Sequence, residues 1–369
     1  MFNLSFMKIL FQLNHPAHYH LVKNSISNLK QNGHDVHILA RGKDVLKDLL
    51  HEERYTMLST RKGLNIPDKI RKMGEAKKEI LKFVSQQKPD IVIGTGTFGY
   101  ITRKLKIPTL FLAEDDANLN IPIFLGALSC YPSFSEILSP EVCYNSCWNK
   151  RSVKYNSYHE LAYLHPNHFT PDTKVVEKYF SSSKPYFIIR FAKLNAYHDI
   201  GIKGINTEIA QKLIDILKPH GDIYITSERE LEPQFEQYRI KINPLEMHHV
   251  MAFAQLYIGD SQTMAAESGV LGVPFVRFND FVGRIGYLRE LEDVYELGYG
   301  VKTNEVDRLY KVVSDLINMK NRKEIFSERR QKMLSEKIDY AQFLTWFIEN
   351  YPESARIMKE NPDYQYNFR

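Results

Sequence analysis

Cysteine is scarce in this sequence. The 369 residues include three cysteines, Cys130, Cys143 and Cys147, and three thiols cannot all pair within one chain. So low a number excludes a disulfide-rich scaffold and favours a reducing compartment. Cys143 and Cys147 could join His159 on a metal ion, but no second Cys or His pair stands at zinc spacing. The sequence therefore predicts small, partly buried residues here, with no metal and no cofactor.

Long apolar runs are also missing. The two longest, residues 107–113 and 121–128, are separated by three acidic residues, and neither approaches the roughly 20 residues that span a bilayer. Residues 1–6 are too short for a signal peptide, and Met7 begins the first predicted strand directly. We therefore expect a cytoplasmic protein, soluble or peripherally associated with a membrane.

The net charge is small and unevenly distributed. Lys and Arg number 49 and Asp and Glu number 44, which leaves +5, too little by itself to indicate nucleic-acid binding. Residues 61–82 contain eight cations and three anions, so this segment alone carries the whole excess. It could bind anionic lipid or a lipid-diphosphate acceptor. It could equally be the solvated face of a helix whose apolar side faces the core.

Short apolar runs alternate with helical patterns along the first half. Hydrophobic residues make up 43% and charged residues 25% of the chain, which are ordinary globular values and exclude a disordered or collagen-like protein. The alternation predicts an α/β fold with parallel strands and right-handed crossovers. Strands are predicted at residues 8–13, 35–40, 54–58, 90–94 and 108–112, with helices at 21–32, 43–51 and 67–86.

The second half repeats this pattern after a segment rich in proline and serine, residues 164–185, which predicts an interdomain linker. We expect two Rossmann-like domains, residues 1–165 and 183–306, and a helical segment, residues 307–369, that packs back across them. A cleft between two such domains would be the ligand site. Strands are predicted at residues 186–191, 222–226, 256–259 and 274–278.

The sharpest motif occupies residues 259–274. A strand ends at its first residue, and Asp260 or Ser261 caps the helix that follows. Free N–H groups and the helix dipole suit a diphosphate there, while Glu267 on the same helix could reach a ribose diol. An ordinary capped helix with a surface glutamate is the alternative. The predicted phosphate contacts are Ser261, Gln262 and Thr263.

This motif resembles the donor-nucleotide motif of GT-B proteins, especially the non-hydrolysing UDP-N-acetylglucosamine 2-epimerases. Their pattern is matched by Asp260, Ser261, Glu267 and residues 271–274. It is not matched at residues 262–263, where this sequence has Gln-Thr and those enzymes have two glycines. Nearly the whole chain resembles more closely a GT-B-like family known as domain of unknown function 354. The matching segments are residues 14–20, 33–36, 158–166, 198–201, 247–249, 259–274 and 281–283. The resemblance implies a GT-B fold, with two Rossmann-like domains facing a cleft, and use of a sugar nucleotide.

Further donor contacts are predicted at strand ends of the second domain. Arg190 ends its first strand, and Lys193 follows; a guanidinium fork suits phosphate oxygens. Arg190 could instead pair with Asp199 or Glu228. Ser227 ends the next strand and is predicted to face the nucleotide sugar.

Two adjacent histidines complete the predicted donor site. In GT-B folds the region of His248 and His249 often meets the nucleotide base, and His249 is assigned to that role. One of the two is expected to pack in the core instead.

The loop after the first strand supplies candidates for catalysis. It contains His15, His18 and His20, and a histidine can act as general base toward a sugar hydroxyl. His18 is the first choice and His20 the second, while Asp115 after a later strand could take the role instead. His15 could bind the acceptor or fix the loop through hydrogen bonds. A metal site made of these histidines is a further alternative, although the motif has no known carboxylate partner.

A glycine-rich turn, residues 94–99, follows the fourth predicted strand. It lacks the Gly-Lys-Ser/Thr ending of a P-loop, which argues against hydrolysis of nucleoside triphosphates. Thr95 and Thr97 could hold acceptor hydroxyls or a lipid phosphate. A tight turn without a ligand is the alternative.

Three functions remain open. The first is an inverting, metal-independent glycosyltransferase that moves a sugar from a nucleotide-diphosphosugar to a sugar, lipid-linked or glycan acceptor in cell-surface polysaccharide or glycoconjugate biosynthesis. The second is a sugar-nucleotide 2-epimerase, although its Gly-Thr-Arg-Pro-Glu loop is replaced by residues 14–18. The third is a non-catalytic protein that binds sugar nucleotides.

Overall fold

The chain divides into two compact units. The computed structural model describes residues 6–41, 44–58, 66–95, 104–113, 135–143, 151–180, 184–192 and 204–369. The first unit comprises residues 1–163 and 338–369, and the second comprises residues 164–337. The C-terminal segment is therefore shared, because its first part belongs to the second unit and its last part to the first.

The first unit contains a parallel seven-stranded sheet. Its strands are β1 (Lys8–Leu13), β2 (Asp35–Ala40), β3 (Tyr55–Met57), β4 (Ile91–Gly94), β5 (Thr109–Leu112), β6 (Glu136–Pro140) and β7 (Ser152–Tyr155). They lie in the order β3-β2-β1-β4-β5-β6-β7, and all neighbours are parallel. The inner strands β1 and β4 are buried on both faces, which explains their continuous apolar runs.

The second unit contains a parallel five-stranded sheet. Its strands are β8 (Tyr186–Phe191), β9 (Asp222–Ser227), β10 (Leu256–Gly259), β11 (Phe275–Phe278) and β12 (Gly298–Val301). They lie in the order β12-β11-β10-β8-β9, again with parallel neighbours. The predicted α/β class is confirmed. Three strands were not predicted, β6, β7 and β12, because charged residues or glycines interrupt their apolar patterns.

The helices alternate with these strands. Numbered along the chain, they are α1 (Pro16–Gln31), α2 (Asp44–Leu49), α3 (Ile66–Gln87), α4 (Leu161–Leu164), α5 (Thr173–Glu177), α6 (Thr207–Leu217), α7 (Met247–Ala252), α8 (Gln262–Val270), α9 (Gly286–Arg289), α10 (Val306–Asn318), α11 (Arg322–Glu336), α12 (Tyr340–Glu349) and α13 (Glu353–Glu360). Across the described ranges, none of them is both long and apolar enough to cross a bilayer.

Helix α12 returns to the first unit and packs against α1. The Ser25 hydroxyl donates a hydrogen bond to the carbonyl oxygen of Ala341 at 3.1 Å. Just beyond α1, His34 pairs with Glu349 at the end of α12, with 3.1 Å between Nε2 and Oε1. Apolar side chains of α12 are buried along its length. The end of the chain therefore completes the core of the first unit.

Helix α3 carries most of the basic segment. Ile80 and Val84 are buried in the core of the first unit. Arg71 and Lys78 are exposed, and Arg71 pairs with Glu75 at 3.0 Å. This part of the helix thus has its apolar side against the core and its charges in solvent, as a solvated amphipathic helix requires.

Candidate functional site

Three neighbouring strands of the second unit end side by side. Arg190 on β8 is in register with Gly259 on β10 and with Thr226 on β9. A Cβ atom at position 259 would lie 2.9 Å from the Cβ of Arg190 and 2.6 Å from the Tyr257 hydroxyl, so glycine is needed there. Because parallel strands share one carboxyl edge, Arg190 and the residues that follow Gly259 are brought together.

Ser261 caps helix α8 at this edge. Its backbone is extended, with φ −81° and ψ 128°, and its hydroxyl oxygen accepts a hydrogen bond from the Met264 N–H at 3.4 Å. The Ala265 N–H donates to the carbonyl of Ser261. The N–H groups of Gln262 and Thr263 precede this first helical bond, so they lack partners within the helix. They lie at the positive end of its dipole, where an anion can bind.

Asp260 is not the N-cap of α8, which the sequence analysis had allowed; Ser261 is. Asp260 is buried, and its carboxylate accepts hydrogen bonds from the N–H groups of Ala192 at 2.6 Å and Ile205 at 3.4 Å. Its carbonyl accepts a bond from the Asn279 side chain at 3.2 Å. Burial raises the pKa of Asp260 to about 6. Asp260 therefore ties together three segments around the start of α8.

Glu267 is buried rather than on the surface. One of its carboxylate oxygens, Oε1, lies 3.0 Å from Nε2 of His248, and each side chain is less than a tenth exposed. The alternative of a surface glutamate is therefore wrong. A carboxylate in such a place needs a partner, and the imidazole of α7 provides one.

The ring of Phe169 supports both histidines of α7. It meets His248 edge-on, with ring centroids 6.2 Å apart, and lies 4.7 Å from the ring of His249. Nδ1 of His249 accepts a hydrogen bond from the Asp172 N–H at 3.0 Å. Both histidines are thus held by neighbouring side chains, and the sequence had left open which of them packs.

Arg190 and Ser227 already have partners in this structure. The guanidinium of Arg190 donates a hydrogen bond to the carboxylate of Glu228, as one of the two interpretations held. The Ser227 hydroxyl accepts from the Arg229 N–H at 3.1 Å and donates to the carbonyl of Arg229 at 2.8 Å. A phosphate would therefore compete with Glu228 for Arg190, whereas Ser227 holds its own turn.

Tyr257 is a polar residue of this edge that the sequence did not single out. Its side chain is fully buried on β10. Burial raises the pKa of Tyr257 well above its usual value, and the charges of Arg190, Asp260 and Glu267 act on its hydroxyl. The phenol therefore stays protonated beneath these charged groups. The sequence could have indicated this residue, because a tyrosine stands within an otherwise apolar strand directly before the motif.

The first unit gathers its candidates at the corresponding edge of its own sheet. Strands β1 and β4 end side by side, and Thr95 Oγ1 lies 2.7 Å from Nδ1 of His18. Burial, followed by the electrostatic effect of the neighbouring imidazoles of His15 and His159, lowers the pKa of His18 to about 3. His18 is therefore a neutral imidazole at physiological pH. His159 had been considered only as a metal ligand, and its place near His18 was not predicted.

The predicted loop is largely helical, because α1 begins at Pro16 rather than at residue 21. His18 and His20 therefore lie on this helix, and His15 directly precedes it. His15 caps α1, because its Nδ1 accepts a hydrogen bond from the Ala17 N–H at 3.2 Å. His20 is buried on α1, with its ring 5.4 Å from that of Tyr163. His15 thus fixes the loop, as one interpretation proposed, and His20 packs against an aromatic ring.

Several predicted positions lie outside the described residues. They are Thr97, Asp115, Cys130, Cys147, Lys193, Asp199 and residues 61–65. Cys143 is buried. In the part of the chain that the structure describes, no group of three or more His, Cys, Asp or Glu side chains is arranged to hold a metal ion.

Nearly the whole chain matches one family model. The match covers residues 7–332, and the family is described as "Protein of unknown function (DUF354)". The chain belongs to this family. The resemblance seen in the sequence segments is thereby confirmed. No curated protein sequence matches the chain.

Solved structures of similar fold cover nearly the whole chain. UDP-GlcNAc 2-epimerase from Methanocaldococcus jannaschii aligns with a TM-score of 0.61 at 16% identity over 89% of this chain and 99% of its own. A UDP co-structure of S. aureus MnaA aligns with a TM-score of 0.65 at 10% identity over 95% and 98%. MurG from Acinetobacter baumannii aligns with a TM-score of 0.56 at 15% identity over 93% and 99%. At such identities these likenesses identify the fold, and the two Rossmann-like domains of a GT-B protein are confirmed.

Proposed function

We propose that this member of the family is a glycosyltransferase. It transfers a sugar from a nucleotide-diphosphosugar to an acceptor hydroxyl in cell-surface polysaccharide or glycoconjugate biosynthesis, with inversion and without a metal. The observation that carries the proposal is the edge of the second sheet. There the capped start of α8, Arg190 and the buried Glu267 lie on adjoining elements.

The second unit binds the donor. The N–H groups at the start of α8 and the guanidinium of Arg190 receive the diphosphate, since preorganised donors stabilise the charge that develops on a leaving group. Arg190 exchanges its partner Glu228 for a phosphate oxygen in this step. Glu267 accepts hydrogen bonds from the ribose hydroxyls. The UDP bound in the MnaA structure makes a uridine diphosphate a reasonable first probe.

The first unit binds the acceptor and removes its proton. The acceptor oxygen attacks the anomeric carbon, the bond from that carbon to the diphosphate breaks, and its electron pair leaves with the diphosphate. The proton of the acceptor passes to His18, whose imidazole is neutral and next to Thr95. Negative charge on a bound ligand raises the pKa of an imidazole and strengthens it as a base.

The test is a turnover assay on the purified full-length chain. A panel of sugar nucleotides is incubated with and without candidate acceptors, free nucleotide is measured, and the products are examined by NMR. We expect release of free nucleoside diphosphate that depends on one donor and one acceptor, with an inverted anomeric configuration. Release of nothing from any donor and acceptor pair would contradict the proposal.

The likeness to UDP-GlcNAc 2-epimerase supports a second candidate. An epimerase would convert the sugar nucleotide without an acceptor. The same NMR spectra would then show the C2 epimer still bonded to its nucleotide, with no net release of nucleoside diphosphate. Binding without turnover would instead favour a non-catalytic sugar-nucleotide-binding protein.

Within the same proposal, residues 61–82 contact anionic lipid near the acceptor. The described apolar side chains of this segment pack in the core, with Ile80 buried there and Leu81 partly buried against it, so any such contact depends on charge rather than on insertion. Flotation with vesicles that contain anionic lipid, compared with neutral vesicles, measures it. Equal flotation in both would remove membrane contact from the proposal.

A further inference from the structure

The buried pair of His248 and Glu267 joins two helices of the second unit. Helix α7 supplies the imidazole and helix α8 the carboxylate, with 3.0 Å between Nε2 and Oε1. Both side chains are more than nine-tenths buried. A pair with this geometry fixes the rotation of the carboxylate about its last bond, because the imidazole N–H donates along a defined direction.

The position of His248 is itself determined by packing. Its ring meets Phe169 edge-on, and the next two buried residues of α7, Val250 and Met251, anchor the helix in the core. The imidazole cannot follow the carboxylate to a new position without disturbing these contacts. Glu267 is thus oriented from outside its own helix.

We infer that His248 is a positioning residue that makes the donor site selective for a ribonucleoside diphosphate. This inference rests on the proposed function, in which Glu267 receives the ribose. A diol recognises a carboxylate whose oxygens are correctly aimed and ionised, since only then can it act purely as an acceptor. The N–H of His248 sets the orientation of the carboxylate, because its Nε2 lies 3.0 Å from Oε1 and such a hydrogen bond is directional.

A second pair of the same kind provides a matched control. His34 and Glu349 in the first unit have 3.1 Å between Nε2 and Oε1, and their side chains are as buried as those of the first pair. Their pair joins the end of α1 to α12 and belongs to neither predicted site. Loss of the imidazole donor at His34 should therefore change the stability of the protein without changing its affinity for the nucleotide.

The experiment compares His248→Phe, His248→Gln and His34→Phe by calorimetric titration. UDP, GDP and ADP are titrated first, and the tightest binder is then compared with its 2′-deoxy counterpart. Phenylalanine keeps the ring against Phe169 but removes the donor, whereas the glutamine amide can restore it. We expect His248→Phe to lose about tenfold in ribonucleotide affinity, the cost of one hydrogen bond to a charged group. Its preference over the 2′-deoxy form should fall toward one.

The rescue and the control complete the expected pattern. His248→Gln recovers most of the preference for the ribonucleotide, and His34→Phe keeps the wild-type affinity and preference. A wild-type preference in folded His248→Phe overturns the inference while the proposed function stands. Failure of the wild-type protein to bind any of the three nucleotides overturns the proposed function, and the inference falls with it.

A measurement on the unaltered protein guards against a variant that does not fold. With histidine labelled by nitrogen-15, the Nε2 resonance of His248 should shift on addition of the ribonucleotide and shift less with its 2′-deoxy form. His248→Gln identifies the resonance by its disappearance. Equal shifts with both nucleotides contradict the inference.

Discussion

The two units place their candidate residues at the same kind of sheet edge but in opposite electrostatic states. In the second unit, two carboxylates have cationic or imidazole partners, Glu228 with Arg190 and Glu267 with His248. In the first unit, His18 is neutral and lies beside the hydroxyl of Thr95. A parallel sheet supplies the location in both cases. The surroundings of each edge decide its chemistry. Charged groups held by partners suit the binding of an anionic ligand, whereas a neutral imidazole can accept a proton.

The largest expected effect is the loss of the base. His18→Phe should lower the rate of transfer about 100- to 10,000-fold, the usual contribution of general-base catalysis, while nucleotide affinity stays the same. Turnover and calorimetric titration on the same preparation measure the two quantities. His20→Phe is the comparison, and transfer that survives in His18→Phe but not in His20→Phe would assign the base to His20.

The next effect concerns the charged edge. Glu267→Ala should weaken nucleotide binding about 100-fold, because two hydrogen bonds from the ribose to a charged acceptor are lost. Calorimetric titration measures the dissociation constant. Glu349→Ala is the matched control, since it removes the carboxylate of the other buried pair with histidine. An unchanged affinity in Glu267→Ala would remove the donor site from this edge.

His18 and Asp260, one at each edge, should also contribute to stability with opposite dependences on pH. The pKa of His18 falls from 6.5 to about 3 on folding, so the unfolded chain binds more protons between these values and this group adds stability as pH rises to 6.5. The pKa of Asp260 rises from 3.8 to about 6, so the folded chain binds more protons there and this group removes stability as pH rises to about 6.

Thermal unfolding between pH 4 and pH 6.5 tests this contrast in the interval bounded by those pKa values. The Tm difference between the wild-type protein and His18→Phe should grow with pH across the interval. The difference between the wild-type protein and Asp260→Asn should shrink. Two slopes of the same sign would contradict the assignment of one buried base and one buried acid.

The smallest effect is expected at the cap of α1. His15→Ala should lower the free energy of unfolding by about 1 kcal/mol, the typical value of an N-cap. His15→Asn should restore it, because asparagine is a preferred N-cap. Denaturant unfolding measures both. A loss of acceptor binding that His15→Asn does not restore would show that His15 contacts the acceptor as well.

Local pattern predicted much of the fold. The strands β1, β2, β8 and β10 begin and end where the sequence placed them, because inner parallel strands are short apolar runs bounded by turn residues. The strands β6 and β7 lie toward the outer end of their sheet and carry mixed patterns that local reasoning could not separate from loops. The cap at Ser261 was one of two adjacent candidates, and the backbone of the strand end decided between them.

Most members of the candidate site were predicted from the sequence, as was the pairing of Arg190 with Glu228, whereas Tyr257 and the other pairings were not. The sequence alone determined the α/β class, the resemblance to the family and the helix start at residues 259–274, since each depends on residues close together in the chain. Only the tertiary structure placed Glu267 against His248, Asp260 across Ala192 and Ile205, and Thr95 against His18. These contacts join residues that are far apart in sequence. They exist because parallel strands bring separate loops to one edge, and burial there sets the charge that each group carries.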